Sequence, residues 1–228
     1  MTEPSQPRYA LVTGGGSGLG KAFCQHLAAA GWQVACSDVD LAAAEHELAS
    51  TAGRELILRD RLQADPETFD YVFIDCPPSL GVLTINALAA VDEVFIPLQP
   101  HFLALHGLGK LLETIALVGR RLNPNLRVSG IVYCMYDPAT RLAAEVERDV
   151  ASFLERSSGE ATPWRNARAF ETRIRRNIRL AEAPSFGQSI LRYEANCNGS
   201  IDYRALAEEV IAQGEPAREP LPRHAASS

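Results

Sequence analysis

Residues 70–100 read DYVFIDCPPSLGVLTINALAAVDEVFIPLQP. The apolar run at 71–74 is short and β-prone and ends in Asp75, the pattern at 83–90 is helical, and 94–97 is a second short apolar run. Two buried strands joined through a helix form the unit from which parallel sheets are built. This stretch therefore predicts an α/β fold.

The same alternation of strand and helix runs through most of the chain. Strands are predicted at 9–13, 33–37, 71–74, 94–97 and 128–133. Helices are predicted at 21–30, 41–50, 55–63, 83–90, 103–122, 139–154 and 203–212. We expect a three-layer, doubly wound, mainly parallel sheet of the P-loop NTPase or Rossmann-like type. It would form one domain over 8–213, with disordered ends at 1–7 and 214–228.

The composition is that of an ordinary soluble globular protein, which argues against disordered, collagen-like and coiled-coil classes. The chain has 228 residues, of which 46% are hydrophobic and 22% charged, and its net charge is −6. The five cysteines lack zinc-site spacing. No signal peptide pattern and no membrane-spanning stretch is visible, so we expect a cytoplasmic protein. Lys21 and Lys110 are the two lysines of the chain.

A glycine run, TGGGSGLG at 13–20, lies between a predicted strand and a predicted helix. In this position glycines let backbone N–H groups approach phosphate oxygens at the positive end of the helix dipole. Five glycines in seven residues are more than a plain turn requires. The predicted phosphate-binding residues are Gly14, Gly15, Gly16, Ser17, Gly18, Leu19, Gly20, Lys21 and Ala22.

One interpretation of this run is a dinucleotide site. Residues 9–40 resemble the opening of a short-chain dehydrogenase/reductase, because the run matches that family's T-G-x-x-x-G-x-G cofactor motif. Asp38, about 20 residues further on, stands where such enzymes hold the adenosine ribose. The family's catalytic Tyr-x-x-x-Lys is absent. The resemblance therefore implies an NAD(P) binder without the usual catalytic pair.

The other interpretation is a P-loop. Residues 15–22, GGSGLGKA, match G-x-x-x-x-G-K. Lys21 would reach the phosphates, although a lysine in the first turn of a helix can equally face solvent. The next residue should be Ser or Thr, whose hydroxyl binds magnesium, and here it is Ala22.

The remainder of the chain, 41–213, resembles the ParA/Soj family of partitioning ATPases, relatives of MinD. The matching segments are 70–100, ALHGLGKLLETI (104–115), RLNPNLRVSGIVYCMYD (121–137) and RRNIRLAEAPSFGQSIL (175–191). The resemblance implies ATP or ADP binding with Mg²⁺ in chromosome or plasmid partitioning. It also implies a ParB-like partner, non-specific DNA binding and a nucleotide-dependent homodimer.

The resemblance assigns roles to further residues. Asp75 would be the Walker B aspartate that serves magnesium. Asp40, in the Asp-Val-Asp at 38–40, would help to position the attacking water, unless this segment is the ribose-binding one. Asn177 and Pro184 would lie on the adenine side. The family has proline before the Arg-Asn at 176–177, where this chain has Arg175. Together with Lys21, the two aspartates form the predicted catalytic set.

The opening departs from the ParA/Soj pattern. Gly16 replaces the signature lysine that reaches the partner's nucleotide, and Ala22 replaces the threonine, so hydrolysis should be weak or absent. The chain therefore resembles a hybrid, reductase-like over 8–40 and ParA-like over 41–213. A non-catalytic scaffold that binds no nucleotide is a further alternative.

A basic stretch interrupts the acidic chain late in the sequence. Its six arginines are Arg165, Arg168, Arg173, Arg175, Arg176 and Arg179. With Glu171 as the single acidic residue, 165–179 carries +5 and the remaining chain −11. Arginine forks suit phosphate oxygens, so non-specific contact with DNA is predicted, and a nucleoid-associated location with it. The alternative is a solvated charge run.

Overall fold

The strands form two parallel three-stranded sheets. The computed structural model describes residues 9–13, 33–37, 48, 51–64, 71–77 and 79–213. Strands β1 (Tyr9–Thr13), β2 (Gln33–Ser37) and β3 (Tyr71–Phe73) make the first sheet, in the order β2-β1-β3. Strands β4 (Glu93–Leu98), β5 (Arg127–Tyr133) and β6 (Arg168–Ala169) make the second, in the order β4-β5-β6. All of these pairs are parallel, which confirms the predicted fold class.

Helices alternate with the strands as the sequence predicts. The described helices are α1 (Ile57–Ala64), α2 (Val82–Ala90), α3 (Ala104–Arg121), α4 (Arg141–Ser157), α5 (Ile178–Glu182), α6 (Ile190–Tyr193) and α7 (Asn198–Gln213). A 3-10 turn at Arg54–Leu56 leads into α1, and a second at Ala183–Phe186 follows α5. Of the predicted helix at 41–50 only Leu48 is described, and it is helical. The predicted helix at 21–30 lies outside the described residues.

The second sheet and its helices enclose the main core. In α3 the buried residues recur every three or four positions: Ala104, Leu108, Leu112, Ile115 and Val118. In α4 the same spacing buries Ala143, Val146, Val150, Leu154 and Ser157. Such stripes face one side of a helix, so both helices pack on the strands while their opposite faces stay exposed. Tyr133 and Ile131 of β5 fill the centre of this cluster.

The short strand β6 depends on a glycine in β5. A Cβ atom at Gly130 would lie 2.5 Å from Cε2 of Phe170 and 2.8 Å from the carbonyl oxygen of Arg168. Because no side chain fits there, β6 can approach β5 closely. The N–H of Phe170 then donates to the carbonyl oxygen of Ile131 at 2.9 Å.

The last helix, α7, covers the segment that follows β6. Its buried Leu206 and Val210 pack with Phe170 and Ile174 in a second apolar cluster. A Cβ atom at Gly199 would lie 2.7 Å from Cγ of Leu180, so the start of α7 also requires a glycine. The sequence predicted this helix only from 203 and did not predict β6, α5 or α6, which have two, five and four residues.

Candidate functional site

Three predicted site segments start from one edge of the first sheet. In the sequence, the glycine run follows β1, the Asp-Val-Asp segment follows β2, and Asp75 comes two residues after β3. Since the strands are parallel, their carboxyl ends lie together: Thr13 pairs with Ser37 and Val12 with Phe73. Doubly wound sheets bind ligands where the chain switches sides of the first strand. Here β2 and β3 flank β1, so that point lies at the ends of β1 and β3.

Asp75 supplies a carboxylate at this edge. The residue is exposed. Among the described residues, no cluster of three or more His, Cys, Asp or Glu side chains could hold a metal ion by itself. Magnesium is commonly held by one or two carboxylates together with the phosphates of a nucleotide. A single carboxylate at this edge therefore fits Mg²⁺ bound together with a nucleotide's phosphates, and it does not fit a metal site built from the described protein ligands alone.

The segment after β3 is fixed to the helices around it. The hydroxyl of Thr84 in α2 donates to the carbonyl oxygen of Ser79 at 2.6 Å. The buried amide of Asn86 donates to the carbonyl oxygen of Arg54 at 2.5 Å and accepts from the N–H of Leu58 at 3.1 Å. Helix α2 is thereby tied both to the turn before it and to α1.

The other predicted phosphate and catalytic residues lie outside the described residues. They are Gly14, Gly15, Gly16, Ser17, Gly18, Leu19, Gly20, Lys21, Ala22, Asp38 and Asp40. Their roles stay predictions. The described ends of β1 and β2 show only the sheet edge after which these segments follow in the sequence.

Asn177 and Pro184 lie at two ends of one short helical unit. Asn177 caps α5, and its Oδ1 accepts the N–H of Arg179 at 2.8 Å. Pro184 is exposed in the 3-10 turn that ends at Gly187, whose φ is 62°. The side-chain oxygen of Asn177 is therefore used to start the helix, and its predicted contact with an adenine stays untested.

Arg175, which stands where the ParA/Soj pattern has proline, is joined to α7. Its backbone N–H donates to Oδ2 of Asp202 at 3.0 Å, a bond that proline could not make. Its guanidinium donates to both oxygens of the same carboxylate, at 2.6 Å from Nη2 and 3.0 Å from Nε. The hydrogen bond from Asp202 raises the pKa of Arg175 above its ordinary value.

Two more arginines of the basic stretch are paired. Nε of Arg173 donates to Oε1 of Glu147 in α4 at 2.5 Å, and its guanidinium carbon lies 5.5 Å from the centre of the Tyr136 ring. Arg179 bonds to Glu182 at 2.8 Å, one turn along α5. In each case the hydrogen bond to the carboxylate is the main cause that raises the pKa of the arginine.

The other three arginines of the stretch are exposed: Arg165, Arg168 and Arg176. None of the ion pairs found among the described residues includes them. The N–H groups of Glu171 and Thr172 are the main causes that lower the pKa of the Glu209 carboxyl, and the charge of Arg168 makes a smaller contribution. The structure thus divides the predicted DNA-binding set into three paired and three unpaired side chains.

The sequence did not predict the carboxylates that form hydrogen bonds and ion pairs with the basic stretch. Glu147 lies 26 residues from Arg173, and Asp202 lies 27 residues from Arg175. Glu209 accepts the N–H groups of Glu171 and Thr172 at 2.9 and 3.0 Å. Asp202 and Glu209 are seven residues apart and so share one face of α7. That spacing was a usable signal, but the predicted helix began after Asp202.

Comparison with known proteins assigns the chain to a family. A family model described as an AAA domain matches residues 15–128, half of the chain. The chromosome-partitioning ATPase Soj of Treponema pallidum is 43% identical over 177 residues, which cover 78% of this chain and 66% of that protein. The chain belongs to the ParA/Soj family. The chromosome partitioning protein ParA of Caulobacter vibrioides is 43% identical over 185 residues, 80% of this chain and 65% of the relative. The chain therefore spans just under two thirds of both ParA/Soj relatives.

A solved structure has the same fold. Cobyrinic acid a,c-diamide synthase from Mycobacterium smegmatis, with an ATP analogue and magnesium bound, matches with a TM-score of 0.63 and 29% identity. The match covers 93% of this chain and 85% of that one. In the part of this ParA/Soj chain that the structure describes, no helix is long and apolar enough to cross a membrane.

Proposed function

We propose that this chain is a ParA-like protein that binds ATP or ADP with Mg²⁺ and acts in DNA partitioning. The observation that carries the proposal is the parallel pairing of β1 with β3. This pairing supports a site in which the loop after β1 and the carboxylate after β3 meet one ligand. Family membership and the solved relative with an ATP analogue and magnesium give independent support.

Each part of the site has a chemical role in this proposal. The backbone N–H groups of the glycine run hold the phosphates, and Lys21 adds a positive charge. Asp75 serves the magnesium ion, which neutralises phosphate charge when it is bound. Asp40 orients water near the terminal phosphate, and Asn177 and Pro184 border the base.

Hydrolysis is weak or absent in this proposal. Ala22 has no hydroxyl to bind magnesium, and Gly16 has no side chain to reach a partner's nucleotide. Restoring the family residues with Gly16→Lys and Ala22→Thr should therefore raise phosphate release from ATP. If the double variant binds ATP and still releases no phosphate above the wild-type rate, the explanation from these two residues is wrong.

The test of nucleotide binding is a titration of the whole chain with ATP and with ADP, each with magnesium. Binding should be lost in Lys21→Ala and kept in Lys110→Ala, which removes the other lysine of the chain. Failure of ATP to bind at millimolar concentration, with NAD or NADP binding instead, would reject the proposal. A lack of any thermal shift with all four ligands would instead favour a scaffold.

The partners proposed for the chain are non-specific DNA, a ParB-like protein and a second copy of the chain in the nucleotide-bound state. The exposed arginines of the basic stretch support the DNA contact, because arginine suits phosphate oxygens. With these partners the protein would work in the cytoplasm on the nucleoid. Residues 8–213 would act as one domain, between ends at 1–7 and 214–228 that lie outside the described residues.

A second candidate is an NAD(P)-binding protein with a reductase-like opening over 8–40. Its support is the pairing of Thr13 with Ser37, the residue that precedes Asp38 in the sequence, which makes β2 a direct neighbour of β1. This is the neighbourhood of a ribose-binding aspartate in dinucleotide folds. Such binding should require Asp38 and survive Asp75→Ala, whereas magnesium-dependent ATP binding should require Asp75.

A further inference from the structure

The middle of the basic stretch, from Arg168 to Arg176, forms an edge that follows the side of β5 opposite β4 and continues beyond the end of β5. Gly130 pairs with Arg168, and further along the same side Tyr136 forms a bridge with Arg175. Tyr136 lies three residues beyond the end of β5, after Met135, whose φ is 51°. The N–H of Arg176 donates to the carbonyl oxygen of Tyr136 at 3.0 Å. The backbone that carries these arginines is therefore held at both ends of the edge.

We call Arg173, Arg175 and Arg179 the anchoring arginines. The first two join this edge to α4 and α7, and Arg179 pairs with Glu182 within α5. The carboxylate of Asp202 is 8% exposed, and it binds both the backbone N–H and the guanidinium of Arg175. The Arg175 side chain is 41% exposed, but moving it away would leave the buried Asp202 charge uncompensated. Arg175 is therefore not available to turn toward another anion, and Arg173 is similarly engaged by Glu147 and the Tyr136 ring.

The other three are the outward arginines: Arg165, Arg168 and Arg176. They are exposed and contribute to none of the ion pairs in the described part of the chain. They occupy the turn before β6, β6 itself and the end of the edge.

We infer that, within the DNA contact proposed above, the outward arginines bind the phosphates, whereas the anchoring arginines stay paired with their carboxylates and contribute little to phosphate binding. This inference rests on the proposed function. It narrows the DNA-binding set from six side chains to three. An arginine that is already paired with a carboxylate must break that ion pair before it can bind a DNA phosphate, and an unpaired arginine need not. The unpaired arginines are therefore favoured as the phosphate contacts.

The test is the salt dependence of binding to a fluorescently labelled DNA duplex of arbitrary sequence, with the whole chain in the presence of ATP and magnesium. The logarithm of the binding constant falls with the logarithm of salt concentration, with a slope of about −0.9 for each phosphate neutralised. Arg165→Gln, Arg168→Gln and Arg176→Gln should each make the slope shallower by about 0.9. Arg173→Gln removes the same charge and should leave the slope unchanged.

The matched control is the double substitution Arg175→Gln with Asp202→Asn, which leaves the net charge unchanged and keeps hydrogen-bonding groups in place. Its slope should equal that of the wild type, and the outward variants should unfold at the wild-type denaturant concentration. Equal slope losses for anchoring and outward variants, in folded proteins, would overturn the assignment while leaving the DNA contact intact. Absence of wild-type binding would overturn the DNA contact, and the assignment with it.

Discussion

Gly130→Ala tests the close approach of β5 and β6 on which the basic edge depends. The new Cβ atom would lie 2.5 Å from the Phe170 ring and 2.8 Å from the backbone oxygen of Arg168, where ordinary contacts are 3.4–4 Å. Phe170 is 1% exposed and packed against Phe95, so its ring has little room to turn. The oxygen belongs to the backbone, so β6 itself must move outward.

The expected cost is that of overpacking a core, about 1–3 kcal/mol in the free energy of unfolding. For a chain of this size each kcal/mol lowers the melting temperature by roughly 2–4 °C. Urea unfolding followed by circular dichroism measures the change. The matched control is Gly109→Ala, in α3, where no atom lies within 4 Å of the new Cβ. Because alanine favours helix over glycine, the control should be more stable by about 0.5–1 kcal/mol.

The two substitutions should therefore change stability in opposite directions. If Gly130→Ala unfolds at the wild-type urea concentration, the close contact of β6 with β5 is absent and the fixed arginine edge is not supported. A parallel loss in both variants would mean that alanine is harmful for a reason other than the contact with Phe170 and Arg168.

Three further predictions concern other parts of the site. Asn86→Ala should lower the free energy of unfolding by about 1–3 kcal/mol, because buried backbone groups lose their partner; an unchanged urea midpoint would contradict this. Glu209→Gln should cost stability above pH 4.5, with the difference from wild type vanishing as pH falls through the lowered pKa of Glu209; a difference that grows in acid would contradict it. Asp75→Asn should raise the magnesium concentration needed for ATP binding, and an unchanged requirement would remove Asp75 from the metal site.

The sign of the Glu209 prediction follows from its surroundings. Burial raises the pKa of this carboxyl, but the N–H groups of Glu171 and Thr172, the Thr172 side chain and the charge of Arg168 outweigh it, so the folded pKa lies below 4.5. A group with a lowered folded pKa stabilises the fold above its unfolded pKa and loses this contribution in acid. The difference between Glu209→Gln and wild type should therefore be constant near neutral pH, and its change with pH should be confined to the acidic limb of the stability curve.

The sequence predicts the elements of the fold where apolar patterning is strong. The strand predicted at 128–133 is observed as β5, Arg127–Tyr133, and the helix predicted at 83–90 is observed as α2, Val82–Ala90. Prediction from the sequence fails for elements that form only because of tertiary contacts. Strand β6 has two residues and exists because Gly130 lets it approach, which no local pattern records. The start of α7 at Asn198 was missed because Asn, Gly and Ser favour turns.

In the candidate site, too, residues in local patterns are predicted from the sequence and long-range pairs are not. Asp75 was found because a carboxylate at the end of a buried strand is a local pattern, and the structure places it at the carboxyl edge of the first sheet. The pairing of Arg175 with Asp202 was not found, because the two residues are 27 positions apart and meet only when α7 packs on the basic edge. The sequence alone therefore predicts DNA contact for all six arginines of the basic stretch and does not separate the paired from the unpaired ones.

The most direct test of the nucleotide site is hydrogen–deuterium exchange of the whole chain with and without ATP and magnesium. Ligand at the carboxyl ends of β1 and β3 should slow exchange in peptides that contain 14–22 and 75–81, with Lys110 in α3 unaffected. Slowed exchange with NADP at 14–22 and Asp38, and no change with ATP, would contradict the ParA-like site.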